Sequence, residues 1–467
     1  MPAITTPTRR EIIEDFAREI RERRVETAKP STKTINFRSD WADNIERKVW
    51  RVPIEILRYR KMNGRIASDV LDYVRNLGIL DESDAEAQEQ IRQFLERKDP
   101  EKTAQLRKSI MHSGQREPAI ITCDGFLING NRRKMVMEAL RRENPHNEDF
   151  ASMKVVILPG EGDPGGAPTL LEIEKLENRY QLQSDGKSEY YGFDRALSIR
   201  RKMGLDFSLR DQLRDDPEFS NATEAQIKSA IKDYQRDFLE PLDCVDRYLA
   251  QFGREGQYSA ISSGMSDPKG RWQAIKDYSL TYSRHICNEN RRAKLGIMDD
   301  EIGDIEEAAF DIIRLRNLPD LPKPHMVMRN LQKYCETKDG KRELLRIAHT
   351  VEPILPSEEC VDKDGNPLDS AAIDAKWASR NRQVIIQQIS KAKYEYETVR
   401  LKETPIDLLE AALKKLTHDR MTLTDIKIGD HKKAMKLAAK IKKKADELET
   451  EIYHLEKSVD QLDTKKR

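Results

Sequence analysis

Two adjacent arginines just after a glycine are the clearest chemical signal in this sequence. In DGFLINGNRRKMVMEALRR (residues 124–142), an apolar run of Phe126, Leu127 and Ile128 ends at Asn129-Gly130. Asn131, Arg132 and Arg133 follow, and then Val136, Ala139 and Leu140 recur at helical spacing. A strand that passes through glycine into an arginine-headed helix suits a phosphate. The first turn of a helix has unpaired N–H groups and a partial positive charge. Gly130 lets the backbone approach an anion closely, and guanidinium groups grip phosphate oxygens in a fork. Arginine at a helix start is otherwise mildly unfavourable, so two of them call for a ligand.

Other candidate chemistry is sparser. His285 and Cys287 are near each other, but no second pair completes a zinc site. There is no Walker loop, and no Ser/His/Asp or Cys/His set can be argued from spacing. Cys123, Cys244, Cys287, Cys335 and Cys360 are far apart, which argues against a disulfide framework and fits a reducing cytoplasm. No signal-peptide core is visible near the start, and no run approaches the roughly 20 apolar residues of a membrane span.

The elements that must position these residues follow from pattern. At 467 residues the chain is too long for one compact core. Charged residues make up 35% and aromatics 6%, the balance of a long-helix protein with a large solvated surface. The net charge of +1 gives no global case for nucleic acid, so any such case must be local. Residues 9–25 read as an amphipathic helix, and 26–40 as polar and irregular. Residues 52–57, 119–121 and 153–158 read as strands, and 67–98 and 103–113 as helical. PGEGDPGGAP (159–168) marks a boundary. In residues 208–239, Ser208 caps a first helix. After a break at Asp216-Pro217, Thr223 and Gln226 form a capping box for a second. That second helix presents Lys228, Lys232 and Arg236 as candidate DNA contacts, alongside Glu224 and Asp233.

In the last hundred residues, Ala438, Ile441, Ala445, Leu448, Ile452, Leu455, Val459 and Leu462 alternate spacings of three and four. This is a sustained heptad seam, to be buried in a helical hairpin or a homodimeric coiled coil. Pro405 and Gly429 are expected breaks.

The order of Gly114-Gln115 with Pro118, then Gly130-Asn131-Arg132-Arg133, then Glu177-Asn178 resembles the nucleotide-binding domain of the ParB/sulfiredoxin superfamily. VPIEILRYRKMNGRI (52–66) resembles its first strand and turn. The resemblance covers roughly residues 50–240 and implies a CTP-dependent clamp of the partition type. It would place Arg133, with Arg132 beside it, on the triphosphate of CTP or ATP, with Gly114 and Gln115 near the nucleotide. Glu177 and Asn178 would hold Mg²⁺. Asn131 stands where the sulfiredoxin branch has its cysteine, which argues against a sulfinic-acid reductase. After Asn178 the sequence reads RYQL, without the arginine usual in the family two or three residues on, and about forty residues separate Ile66 from Arg107 where simple members have a short connection.

The expected architecture is therefore mainly α. An N-terminal helical arm (1–40) precedes an α+β ParB/sulfiredoxin-like domain (41–160) with a helical insertion (67–113). A helix–turn–helix-like region (169–250), a helical domain (251–350), a linker (351–380) and a C-terminal hairpin or coiled coil (381–467) follow. The expected function is nucleotide-gated DNA binding, with slow hydrolysis of the nucleotide as a reset. The alternatives are an enzyme on the same fold (a DNA nuclease or NTPase, with Glu177 and Asp124 as its placeable carboxylates) and a non-catalytic helical interaction protein. Plasmid or phage maintenance and phage defence fit all three by analogy.

Overall fold

The computed structural model describes residues 10–464, apart from 28, 41, 99, 183–191, 220, 263–270 and scattered positions within 353–369 and 419–427. The chain divides into two compact units, 1–396 and 397–467.

The first unit begins with helix α1 (Glu14–Arg23) and strands β1 (Val25–Glu26), β2 (Thr32–Thr34) and β3 (Glu46–Pro53). Three helices follow, α2 (Ala67–Leu77), α3 (Ala85–Arg97) and α4 (Pro100–Ser113). Strand β4 (Ala119–Ile121), helix α5 (Asn131–Glu143) and strand β5 (Ser152–Ile157) complete the α+β part. The sheet order is β1-β3-β5-β4, with β2 also paired to β3. β5 runs antiparallel to β3, with Trp50 opposite Val155, and parallel to β4, with Ile120 opposite Val156. β5 is interior to this small mixed sheet and β4 lies at its end, and both are apolar because side chains packed on either face of the sheet cover them. Its two faces have separate cores. One gathers Val52, Ile121, Leu127, Val136, Leu140 and Val155 with Ile91 and Phe94 of α3. The other gathers Ile120, Ile128 and Val156 with Ile173 and Leu176 of α6 (Leu170–Leu182).

Several expectations shift here. The strand expected at 52–57 ends at Pro53, and Ile54–Ile56 form a 3-10 turn. The pairing strand lies upstream, over Glu46–Pro53, where Val49 and Val52 are its buried side chains. The N-terminal segment is no loose arm. Ala17 and Ile20 are buried, Arg58 lies 3.4 Å from the centre of the Phe16 ring, and the polar stretch 26–40 contains β2 and buries Ile35 and Phe37. In residues 126–128, pairing is limited to isolated bridges, of Phe126 to Arg58 and of Leu127 to Ile121.

The helical part comprises α7 (Gly192–Met203), α8 (Leu209–Arg214), α9 (Glu224–Tyr234), α10 (Glu240–Gln251), α11 (Ser259–Ser262) and α12 (Arg271–Thr281). It continues with α13 (Glu289–Lys294), α14 (Glu301–Arg314), α15 (Pro324–Tyr334), α16 (Lys338–Thr350) and α17 (Ser370–Leu416). Both expected caps are present. Ser208 accepts from the Asp211 N–H at 3.2 Å, and Thr223 and Gln226 close a reciprocal capping box. α8 and α9 share a small core of Leu209, Leu213, Ile227 and Ala230 with Ile199 of α7. α9 does not stop at Leu239. It passes through a π-turn, Gln235–Leu239, into α10. Pro241 follows at once, and having no N–H for the helical ladder it accounts for the bulge.

The expected division at 250/251 is absent, because one core runs from Phe193 through Val245, Tyr278 and Phe310 to Ala392. α17 starts within the expected linker, and its Trp377, Ile385 and Ile389 lie fully inside that core. It also runs through Pro405 without a break. The second unit holds the end of α17 and helix α18 (His431–Thr464), which follows a 3-10 turn containing Gly429. Val459 and Leu462 of the seam lie outside the described side chains. No helix among the described residues is long and apolar enough to cross a membrane.

Candidate phosphate site at the start of helix α5

The glycine–arginine turn is built by a chain that folds back on β4. After Ile121, Thr122 staples the reversal: its N–H donates to the Phe126 carbonyl at 2.9 Å, and its hydroxyl accepts from the Phe126 N–H at 3.0 Å. The returning strand donates from Leu127 to the Arg58 carbonyl and from Ile128 to the Ile120 carbonyl, both at 2.9 Å. Asn129 then turns inward, and its Oδ1 accepts from the Ile120 N–H at 2.8 Å. Gly130 sits at the N-cap of α5 with φ +91°. A Cβ there would come 2.8 Å from the Ala119 Cβ, so both the left-handed conformation and the approach to β4 require glycine.

The residues of the motif face different environments. Arg133 is half-buried and donates from Nη1 to the Glu117 carbonyl. Among the described residues no carboxylate pairs with it; the Glu117 side chain is taken by Lys33 at 2.9 Å. Burial pulls the Arg133 guanidinium down to about 10, so it remains cationic at neutral pH. Gln115 converges on the same carbonyl, with Nε2 2.9 Å from the Glu117 oxygen. Its amide also pairs with β5, donating to the Lys154 carbonyl at 2.8 Å and accepting from the Lys154 N–H at 2.7 Å. Gly114 lies just before it at φ +65°, closing α4 with an N–H bonded to the Ile110 carbonyl at 2.9 Å. The Asn131 Oδ1 is buried and no donor reaches it. Arg132 is partly exposed.

Glu177 and Asn178 belong to a different cluster. They lie near the end of α6, whose Ile173 and Leu176 pack against Ile120 and Ile128, just before the glycine turn. The Glu177 side chain faces Arg60, which lies in the loop after β3. Arg60 donates to Glu177 Oε2 and, at 2.9 Å, to Glu174 Oε1; the Gly64 N–H reaches Glu177 Oε1 at 3.2 Å. Lys202 of α7 donates to Asn178 Oδ1 at 2.8 Å, and Arg201 donates to Glu174 Oε2 at 2.6 Å. Burial pulls Lys202 down to about 8 against the facing carboxylates of Glu177 and Glu174. Burial pushes Glu174 up, but the cations around it, Arg60 and Arg201 foremost, win and hold it below the usual carboxylate range. The donor atoms expected to bind Mg²⁺ are thus already held by protein cations and an N–H. The pair does not fit a metal in this arrangement, and no group of three or more His, Cys, Asp or Glu among the described residues is placed to hold one.

Two further features escaped the sequence pattern. Asp124, next to the motif, is wholly buried: Arg10 donates twice to it, at 2.8 and 2.6 Å, the Ile13 N–H at 3.1 Å and the Thr122 hydroxyl at 2.5 Å. That carboxylate docks the N-terminal segment and is not free for chemistry. The Cys123 thiol is pushed up to about 12, by burial first and by Asp124 second, so it stays protonated. Only the spacing of Glu174 and Glu177, three apart on one helical face, hinted at a shared partner for α6.

On α9, Lys228 and Lys232 are exposed. Arg236 falls in the π-turn, where Asp233 at 2.8 Å and Asp237 at 3.1 Å neutralise it. It is therefore not the free cation the sequence suggested. Glu224, at the helix start, is bridged by Arg210 and Arg214, both at 2.5 Å. No family model, curated protein or solved structure matches this chain.

Proposed function

We propose that this chain is a ParB-like, nucleotide-gated DNA-binding protein whose nucleotide phosphates dock at Gly130–Arg133. The observation that carries the reading is Arg133, a half-buried guanidinium in the first turn of a helix with no carboxylate paired to it among the described residues. A positive charge held beside the positive end of a helix is a cost that an anion removes. The orphaned Asn131 oxygen beside it calls for a donor, which a nucleotide hydroxyl or amino group supplies.

Gating needs a path from the phosphates to the DNA-contacting helices. α6 supplies one, packing one face beside the glycine turn and pairing its other face with Arg60 and with Lys202 of α7. Nucleotide binding shifts α7–α9 only if it favours one arrangement of that joint over another. Mg²⁺ would enter with CTP or ATP on the nucleotide's own phosphates; ligation by Glu177 and Asn178 would require Arg60 and Lys202 to withdraw. Lys228 and Lys232 are the cations on α9 that remain available to a DNA backbone.

Titration calorimetry with CTP, ATP and GTP, with and without Mg²⁺ and duplex DNA, tests the reading. Arg133→Ala removes a charge-assisted bond worth about 1.5–3 kcal/mol, so binding should weaken roughly 10- to 150-fold. Unchanged binding in that variant would overturn the site, and no binding of any of the three nucleotides would overturn the function.

A further inference from the structure

The described side chains of the α18 seam are all at least partly exposed. No described side chain of the second unit is buried, although α18 and the end of α17 both belong to it. Ile441 is 46% exposed, Ile452 50% and Leu455 65%. Helices in proteins draw most of their stability from packing of an apolar face, so a sustained seam left in water signals a missing partner.

The charges on α18 identify the partner. Histidine aside, every charged side chain from His431 to Ala445 is a lysine, and every one from Asp446 to Glu456 is acidic. A parallel pair of such helices would face lysines with lysines and carboxylates with carboxylates. An antiparallel pair faces each block with its opposite.

We propose that α18 pairs with α18 of a second copy of this chain as an antiparallel coiled coil, centred between Asp446 and Glu447. The seam fits this register independently of the charges. Antiparallel heptads bring the two seam positions into shared layers, which here oppose Ala438 with Leu455, Ile441 with Ile452, and Ala445 with Leu448. Each alanine meets a large residue, which fills the interface evenly. The flanking positions then oppose Lys442 with Glu449 and Lys444 with Glu451, each twice by symmetry. The centre that satisfies the layers is also the point where the charge changes sign.

The test uses the full chain. Sedimentation equilibrium should give a two-chain mass, and Ile441→Asp/Ile452→Asp should give a one-chain mass at the same concentration. These side chains are exposed within one copy, so the near-ultraviolet dichroism of the first unit should not change. Lys442→Glu/Lys444→Glu and Glu449→Lys/Glu451→Lys should each weaken self-association, and an equal mixture should restore it. Orientation is read by oxidative cross-linking after the exposed Cys287 is replaced by serine. Ala438→Cys alone should not cross-link, because its counterpart lies about 25 Å away along the helix. Ala438→Cys/Leu455→Cys should cross-link. A one-chain mass for the unaltered protein, as a hairpin with α17 would give, overturns the proposal. So does a two-chain mass that survives the aspartates, or cross-linking through Ala438→Cys alone.

Discussion

Asp374 near the start of α17 should be among the costliest single positions in the first unit. Its carboxylate serves three buried arginines: Arg254 Nη1 and Arg314 Nε each lie 2.9 Å from Oδ1, and Arg271 donates to Oδ2. The Arg314 guanidinium also stacks 4.3 Å from the centre of the Trp377 ring. Burial pushes Asp374 up, but Arg271, Arg254 and Arg314 together outweigh it and hold the carboxyl below its usual range. Its stabilising charge is therefore present above the unfolded value near 3.8 and is lost as pH falls through the lower folded value. Asp374→Asn keeps the shape and removes the charge, leaving three guanidiniums facing one another. Breaking a buried pair this way costs about 3–5 kcal/mol. At roughly 2 °C per kcal/mol for a large domain, the midpoint should drop by about 6–10 °C. Arg254→Met should cost much less, because it removes one of three like charges and leaves the acid paired. Thermal melts followed by tryptophan fluorescence and by dichroism at pH 7 and at pH 3 measure both variants. If Asp374→Asn and Arg254→Met cost the same at pH 7, or if the Asp374→Asn deficit is as large at pH 3, the electrostatic account is wrong.

Three smaller predictions follow from single residues. Burial raises Asp311 to about 8, so the folded state takes up a proton that the unfolded state lacks between about pH 4 and 8, and stability falls as pH rises through that window. Asp311→Asn should flatten that slope and stabilise the protein at pH 8, read by urea midpoints across pH. Gly130→Ala must adopt φ +91° and press on the Ala119 Cβ, costing at least about 1–3 kcal/mol by chemical denaturation. Thr223→Ala removes the capping box and should cost about 1 kcal/mol, with faster amide exchange confined to the first turn of α9.

What the sequence determined by itself is local. The start of α5 after Gly130, the Ser208 and Thr223 caps, strand β5 and the α18 seam are each written in residues within a turn or two of each other. Periodicity and capping are short-range physics, and these elements sit where the pattern puts them. Tertiary structure decided which charged group meets which. Gln115 looked like a nucleotide contact, and its amide proves to pair with Lys154, 39 residues away. Glu177 and Asn178 looked like metal ligands, and their oxygens meet Arg60 and Lys202, brought in from the loop after β3 and from α7. Asp124 found Arg10, 114 residues upstream, which turned an expected arm into a docked segment. A carboxylate on a helix face is equally ready for a metal, an arginine or water. Only the fold fixes which of these lies within about 3 Å, because that choice depends on elements whose meeting no local pattern encodes.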